Sequence, residues 1–439
     1  MKITRVSSVV YRQELKLSGP KPKFAGEGRN AFETLLVKVE TDSGIVGWGE
    51  AFPHRIWPAV KLLLETLIAP ACIGAEATDI SALMKMLTYR VHGVGRAGPV
   101  MYALSGLDIA LWDILGKATN KPIYMLLGGA QCEKLPAYAS LLKYAETPVV
   151  VRYCEEALGR GYSDLKVHET GREEITAAAQ LLRRHNGGSL IVDVNAPWTL
   201  QEALSAIAPL RELRLKWIEE PVWPLEDFDA ARQISASGVP VAIGENVLTP
   251  SDFTRLIESR SVDYVQPSVA KIGGISIMRD IVEAANKANV AVAPHSAYFG
   301  PGLIATAHVS AALARTPMIE RLYCDLTESP FGDWYEPVDG YLALPQGPGL
   351  GINPDPGILE KNTCRLTATA YRSRGHDENS ASENQPRPPS SGRAPSRRTG
   401  LSWDAARIHH RAGAHRRRHR GHWHHHIRRQ DRAHVENRA

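Results

Sequence analysis

Long apolar runs are missing from this sequence, and its cysteines show no pairing pattern. No segment of the 439 residues reaches the roughly 18 consecutive apolar residues that a membrane-spanning helix needs. Residues 1–5 carry charge without an apolar region behind them, so we predict no signal peptide. The five cysteines lack CxxC spacing, which excludes a disulfide framework and a cysteine zinc site and favours a reducing cytoplasm.

The common nucleotide, protease and hydrolase motifs are also missing. The sequence has no Walker A, HExxH or GxSxG pattern. Residues 93–98 match GxGxxG, but they precede a helical segment and follow no strand. A dinucleotide site is therefore disfavoured.

Lysine is missing from residues 363–439, which hold 17 Arg, ten His and six acidic residues. This tail has a net charge of +11, so the +5 of the whole chain leaves −6 for residues 1–362. Because the tail has only five Leu, Ile, Val or Phe residues, we predict that it is disordered. It is either an arm that binds nucleic acid or metal or a solvated appendage. The lack of lysine favours the appendage, and we do not expect nucleic acid as a partner.

Residues 1–125 predict an α+β capping domain. Strand-like segments predict a short antiparallel sheet, and helical apolar spacing follows. The strands are predicted at 3–11, 34–40 and 45–49, and the helices at 59–67, 80–89 and 102–116. A loop with Gly, Pro and Lys at 20–28 suits a lid over an anionic ligand. We expect the substrate to contact loops near 16–30 and 50–58.

Residues 126–325 have a different rhythm, in which short apolar strands alternate with helix-length segments. The strands are predicted at 135–141, 165–168, 190–195, 217–220, 241–245, 264–267, 292–295 and 318–320. Polar residues end these strands at intervals of 23 to 27 residues, about one βα unit. This repeat predicts a parallel α/β barrel of the TIM type with its chemistry at the carboxyl ends of the strands.

Three carboxylates end successive strands at Asp193, Glu219 and Glu245. Carboxylates converging on one barrel mouth raise one another's pKa unless a cation holds them. Oxygen ligands on a rigid scaffold suit Mg2+, with Mn2+ as an alternative. The competing interpretation is that some of these acids cap helices or form salt bridges, but three at matched spacing favour the metal.

Four further strand-end residues are candidates for acid–base chemistry. Lys166 and His168 lie at positions i and i+2 of one strand and face the same side. A nearby divalent cation is expected to depress the pKa of Lys166, and the intrinsic pKa of His168 is about 6.5. His295 is either a core histidine or a catalytic one, and its position opposite Lys166 favours catalysis. Glu320 is either a protonated donor to an oxyanion or a partner of Arg321 or another base.

The body of the chain resembles the mandelate racemase subgroup of the enolase superfamily over about residues 1–360. The motifs that carry the resemblance lie at 105–117, 126–129, 193–195, 217–221, 244–246, 271–274 and 347–351. The resemblance implies a capping domain on a modified (β/α)7β barrel, with residues 326–362 returning to the cap. It also implies Mg2+ on the three carboxylates, and removal of the proton α to a substrate carboxylate to give an enediolate. Members of the family often form homo-oligomers.

Two positions depart from the family pattern. The second strand reads Lys166-Val167-His168 where the family has Lys-x-Lys. Ser268 stands at the end of the sixth strand, where the family has an Asp that pairs with the histidine corresponding to His295. A hydroxyl orients His295 without stabilising its cation, so we expect a lowered pKa and a role mainly as an acid.

The leading functional prediction is dehydration of a sugar acid, by analogy with the subgroup. His168 or Lys166 removes the α-proton, and His295 protonates the departing hydroxyl. The predicted substrate-binding residues are Asn195, Ser268, Lys271, Lys21, Lys23, Arg29 and His54, with Arg55 beside the last. The alternatives are a racemase or epimerase, a cycloisomerase, and a non-catalytic protein that binds an acid sugar.

Overall fold

The computed structural model describes residues 1–17, 19, 21–24, 27–185 and 187–364. The predicted disorder of the tail from residue 365 onwards lies outside the described residues. All described residues belong to one compact unit.

The N-terminal domain is an antiparallel sheet covered by helices. Strand β1 pairs with β4 over most of its length, and β4 pairs with β5. The strands are β1 Ile3–Lys16, β2 Lys23–Phe24, β3 Glu27–Gly28, β4 Ala31–Thr41 and β5 Val46–Ala51. The helices are α1 Trp57–Leu63, a π-helical turn at Leu64–Ile68, α2 Ala69–Cys72, α3 Ile80–Val91, α4 Pro99–Thr119 and α5 Ile123–Leu126. All three strands predicted for this domain are therefore present.

Helix α4 lies directly against β5 because two glycines leave room for its backbone. A Cβ on Gly47 would lie 2.2 Å from Ala110 O, and one on Gly49 would lie 1.9 Å from Gly106 O. The other side of α4 faces the C-terminal domain, where the buried Asp108 accepts a 2.6 Å hydrogen bond from Ser276 Oγ. This helix therefore fixes the cap to the barrel.

The C-terminal domain is built on eight parallel strands, as the spacing predicts. Their spatial order is β12-β11-β10-β9-β8-β7-β6-β13. The strands are β6 Lys134–Leu141, β7 Leu165–Val167, β8 Leu190–Asp193, β9 Trp217–Glu219, β10 Val241–Ile243, β11 Tyr264–Val265, β12 Ala291–Val292 and β13 Ile319–Tyr323. The gap between β12 and β13 is bridged just beyond β12, where Ser296 Oγ donates to Glu320 O at 2.8 Å. The α/β modified TIM barrel is thus confirmed.

One helix follows each of the first seven barrel strands. These helices are α6 Thr147–Gly159, α7 Arg172–Arg184, α8 Leu200–Ile207 with a 3-10 turn at Ala208–Leu213, α9 Phe228–Ala236, α10 Pro250–Glu258, α11 Gly274–Ala288 and α12 Pro301–Leu313. Their apolar faces pack on the sheet; α7, for example, buries Ile175, Ala178 and Leu182. The alternation of short strand and helix puts every strand end at one face of the barrel.

The C-terminal segment returns to the cap. Its elements are β14 Asp325–Leu326, β15 Tyr341–Ala343 and α13 Pro356–Lys361. Leu326 pairs with Leu15 of β1, and Thr363 forms a bridge with Tyr11. Cys364 N donates to Val10 O at 2.7 Å. Thr363 and Cys364 therefore belong to the folded body, which corrects the predicted tail boundary at 363, because their backbone groups satisfy the outer edge of β1.

Candidate active site

The three predicted carboxylates meet at the carboxyl ends of adjacent strands. Asp193 and Glu219 are cross-strand neighbours in the β8–β9 ladder, and Glu245 follows β10 by two residues. One ligand atom from each of the three lies within 4.8 Å of the others. Such a set offers only oxygen donors, which suits a hard divalent cation.

The hydrogen bonding of these carboxylates fits a metal. Asp193 Oδ2 is fully buried and has no hydrogen-bond partner of good geometry. Glu219 Oε2 accepts a 2.6 Å hydrogen bond from Gln266 Nε2, which fixes its orientation. Burial and the Asp193 carboxylate raise the pKa of Glu219 well above its usual range. A cation at this point would favour the charged form of Glu219 and so oppose both effects.

Lys166 places its ammonium among the carboxylates. Its Nζ lies 3.0 Å from Glu219 Oε1, 3.3 Å from Asp193 Oδ2 and 2.7 Å from Glu320 Oε1, and the side chain is buried. Burial opposes the charged form, but Glu219, Glu320 and Asp193 outweigh it and raise the pKa of Lys166 well above its usual value. The carboxylates here face the ammonium itself, whereas the depression expected from the sequence depends on a divalent cation bound among them.

His168 presents one ring nitrogen to the site. Its Nδ1 is hydrogen-bonded to the Leu141 carbonyl oxygen, which can only accept, so Nδ1 carries a proton. Its Nε2 lies 3.2 Å from Asp193 Oδ2. Burial lowers the pKa of His168, but Asp193 outweighs it and the net pKa is raised. In the neutral ring the lone pair is therefore on Nε2, which is the atom of a base.

His295 lies at the end of β12 and is buried. Its Nε2 lies 3.6 Å from Glu245 Oε1, and its Nδ1 lies 3.0 Å from Ser268 Oγ. Ser268 Oγ in turn lies 2.5 Å from the Tyr298 hydroxyl. Burial lowers the pKa of His295 despite the nearby Glu245 and Glu320.

Glu320 is an ionised partner of Lys166 in this arrangement. Burial raises its pKa, but Lys166 and His295 outweigh it and hold the pKa at about 2. Its Oε2 also accepts a 3.0 Å hydrogen bond from Ser296 N. The base that Glu320 contacts is therefore Lys166 rather than Arg321, and its role as a donor to an oxyanion stays a prediction.

A cavity of about 670 Å3 lies over these residues, lined by both domains. Lys166, His168, Glu245, His295 and Glu320 line it from the barrel together with Asn195, and Arg29 and His54 line it from the cap. Asn195 also donates from its backbone N to Asp193 Oδ1 at 3.0 Å. Burial and the nearby Arg29 lower the pKa of His54.

Three predicted substrate contacts are placed elsewhere. Ser268 is buried beyond His295 and does not line the cavity. Lys271 is not among the lining residues but borders the site, since its Nζ lies 3.5 Å from Glu245 Oε1, donates to Asn246 Oδ1 at 2.8 Å and lies over the Phe52 ring. Lys21 is exposed and outside the cavity lining. The side chain of Lys23 lies outside the described part of the structure.

Several site residues are not predicted from the sequence. The cavity wall includes Glu50 of β5, whose Oε2 accepts from Gly302 N at 2.8 Å, and Tyr298. Gln266 binds Glu219, and Glu220 accepts from Asn246 Nδ2 at 2.9 Å. Burial raises the pKa of Glu220 to about 8. Gln266 and Glu220 lie at the ends of predicted strands, so the sequence could have indicated them. No periodic pattern marks Glu50 or Tyr298.

Comparison with known families agrees with this architecture. Residues 8–128 match the mandelate racemase / muconate lactonizing enzyme N-terminal domain, and residues 149–358 match the enolase C-terminal domain-like family. The chain therefore belongs to the mandelate racemase and muconate lactonizing enzyme family of the enolase superfamily. It is an enzyme of dehydratase or racemase type.

Individual relatives cover nearly the whole folded body. Arabinonate dehydratase of Saccharolobus solfataricus is 31% identical over 77% of this chain and 93% of its own length. D-galactarolactone cycloisomerase of Agrobacterium fabrum is 32% identical over 72% and 88%. A crystal structure of an enolase superfamily member from Polaromonas superimposes with a TM-score of 0.74 at 31% identity, over 83% of this chain and 98% of that one.

In the described ranges, no helix has both the length and the apolar character required to cross a bilayer.

Proposed function

We propose that this enzyme dehydrates a sugar acid to a 2-keto-3-deoxy acid, with Mg2+ held by Asp193, Glu219 and Glu245. When bound, the cation supplies positive charge for the substrate carboxylate as its α-carbon becomes acidic. The observation that carries the proposal is the placement of two histidines in one cavity wall, one beside Asp193 and the other beside Glu245. Both histidines thus border the space in which we expect the ligand to bind.

The ring nitrogens of His168 and His295 carry the two proton transfers of this reaction. His168 Nε2 takes the proton from the carbon α to the carboxylate, and the electron pair of the C–H bond forms the enediolate. Collapse of the enediolate then breaks the bond to the β-hydroxyl, which leaves as water with a proton from His295. The resulting enol converts to the keto acid. Lys166 contributes its positive charge at the same point, and Arg29 and His54 contribute polar contacts from the cap.

The relatives support this assignment in part. Two of them are named arabinonate dehydratase and D-xylonate dehydratase. Another is named N-succinyl-L-Arg/Lys racemase, and a racemase is the second candidate here because histidines on both sides of a ligand permit proton exchange without elimination.

A deuterium experiment separates these functions. The full chain with Mg2+ is incubated in D2O with a panel of sugar acids, and both α-deuteration and 2-keto product are measured. A 2-keto product from at least one acid is the expected result. Deuterium incorporation or epimer formation without keto product would establish the racemase instead. If a ligand binds and its α-proton never exchanges, the protein is a binding protein.

A further inference from the structure

Behind His295 lies a buried chain of hydroxyls. Ser268 Oγ is 3.0 Å from His295 Nδ1 and 2.5 Å from the Tyr298 hydroxyl. Ser268 is completely buried, Tyr298 is 3% exposed and His295 is 6% exposed. The Tyr298 ring lies edge-on to the His295 ring, at 5.8 Å and 87°. The three side chains therefore form one hydrogen-bonded row that ends at His295, which lines the cavity and has its Nε2 3.6 Å from Glu245 Oε1.

The position of Tyr298 is determined by its surroundings. It is three residues after His295 in the loop that follows β12, and its backbone N donates to Ser296 O at 2.7 Å. A Cβ on Gly302 would lie 2.9 Å from Tyr298 Cγ, so the absence of that atom lets the first turn of α12 approach the ring. Ser296 itself is fixed to Glu320 by two hydrogen bonds. The hydroxyl is thus held at Ser268 by packing on two elements.

The hydrogens available on these side chains determine which atom donates in each hydrogen bond of the row. Among the described residues, Ser268 Oγ is the hydrogen-bond partner found for the Tyr298 hydroxyl. The phenol therefore donates its hydrogen to Ser268. The single hydrogen of Ser268 then points to His295 Nδ1, which accepts it. A neutral histidine that accepts at Nδ1 carries its own hydrogen on Nε2.

We infer that Tyr298 is a positioning residue that, through Ser268, holds His295 as the tautomer with the hydrogen on Nε2, aimed at the substrate. An aspartate at position 268 would have the opposite effect, because a carboxylate accepts from Nδ1–H and leaves a lone pair on Nε2. The Ser268–Tyr298 pair thus makes neutral His295 a donor to a substrate oxygen rather than a base. When Nε2 gives its hydrogen to the departing hydroxyl, Nδ1 takes the hydrogen of Ser268 and Ser268 takes that of Tyr298, so that the negative charge of the leaving group passes to the phenol oxygen. Burial, which raises the pKa of Tyr298 well above its usual value, keeps the phenol protonated until that step.

This inference rests on the proposed dehydration only for the identity of the substrate oxygen to which His295 donates. Its structural part is tested without substrate, by 15N NMR of the full chain labelled at histidine, with Mg2+ at pH 8. Protonated and unprotonated ring nitrogens give well separated shifts, and His295→Gln identifies the signals of His295. We expect a protonated Nε2 and an unprotonated Nδ1. A protonated Nδ1 in the neutral ring overturns the inference, whether or not the enzyme dehydrates anything.

Two variants test the chain itself. Tyr298→Phe is expected to abolish the single tautomer and to lower kcat about tenfold with KM nearly unchanged, since one hydrogen bond is lost behind the histidine. Ser268→Asp is expected to move the hydrogen to Nδ1. Tyr323→Phe is the matched control, because the Tyr323 hydroxyl is buried without a hydrogen-bond partner and does not line the cavity. An unchanged tautomer in Tyr298→Phe, with or without a raised KM, contradicts the positioning role.

Discussion

Lys166 Nζ and Glu320 Oε1 lie 2.7 Å apart, although their strands, β7 and β13, are separated by β6. The contact spans the barrel mouth and brings Glu320 to the same ammonium that contacts Asp193 and Glu219. One buried cation thus serves three buried carboxylates. When no metal ion is bound, the stability of the folded state depends on the Lys166 ammonium.

Replacing Lys166 by Met is therefore expected to destabilise the metal-free protein by about 3–5 kcal/mol, the usual cost of leaving buried charge unpaired. Mg2+ is expected to restore most of this loss and to stabilise the variant more than the parent. Urea unfolding with EDTA and with Mg2+ measures both. Lys216→Met is the control, since Lys216 pairs with the partly exposed Asp164 and such pairs contribute less than about 1 kcal/mol. Equal losses in the two variants would argue against the clustered-charge account.

Asp193→Asn is expected to weaken Mg2+ binding at least about tenfold and to abolish turnover, because its buried Oδ2 loses its charge. Titration calorimetry with Mg2+ measures the affinity directly. Asp229→Asn is the matched control, with a side chain that is 81% exposed and paired with Arg232 of the same helix. Metal binding that is unaffected in Asp193→Asn would remove the carboxylate trio from consideration.

His295→Asn is expected to separate the two halves of the reaction. Because His168 and Lys166 remain, α-proton exchange with D2O should persist, while formation of the 2-keto product falls at least about a hundredfold for want of an acid. Mass spectrometry of recovered substrate and product measures both rates in one sample. Loss of exchange in parallel with product would mean that His295 also acts as a base.

Glu50 is expected to make the stability of the protein depend on pH. Burial raises its pKa to about 7, so between its unfolded pKa and pH 7 the folded state binds more protons than the unfolded state. Stability should therefore be greatest at low pH within this window and fall as pH rises through 7, by at most about 3 kcal/mol from this residue.

Glu50→Gln, which retains an acceptor for Gly302 N, should unfold at a similar urea concentration at pH 5 and at a higher one than the parent at pH 8. Asp108, whose pKa burial also raises to about 7, remains in both proteins as an internal reference. If the free energy of unfolding depends on pH in the same way in the variant and the parent, burial does not raise the pKa of Glu50.

Truncation should distinguish the tail from the folded body. Deleting residues 365–439 is expected to leave the Tm and turnover unchanged, because the tail has too little apolar surface to pack. Deleting residues 363–439 also removes the Thr363 bridge and the hydrogen bond from Cys364 N to Val10 O, and should lower the Tm by a few degrees. A large loss in the shorter deletion would show that the tail packs on the body.

The barrel was predictable because its repeat has a nearly constant length. Each βα unit returns the chain to the same face, so the spacing of Asp193, Glu219 and Glu245 was enough to bring them together. Contacts between loops were not predictable in this way. Lys271 carries the same charge whether it reaches a substrate or Asn246, and nothing in its neighbours along the chain distinguishes the two.

The charge states were harder still to predict. A sequence shows that Lys166 and Glu320 each end a strand, but not that they meet at 2.7 Å. That distance depends on the tilt and stagger of the whole barrel. It decides which base Glu320 contacts. The role of Tyr298 likewise depends on the turn between β12 and α12, which has no periodic signature.

The pairing of β1 with the last folded segment has a consequence for biosynthesis. Leu15 leaves the ribosome about 300 residues before its partner Leu326, an interval of roughly 15–60 s at ordinary translation rates. During that time the backbone groups at the outer edge of β1 are unpaired and can bind a strand of another nascent chain. Completion of the chain closes this rim from within, so a premature stop before codon 326 would yield a product inclined to aggregate.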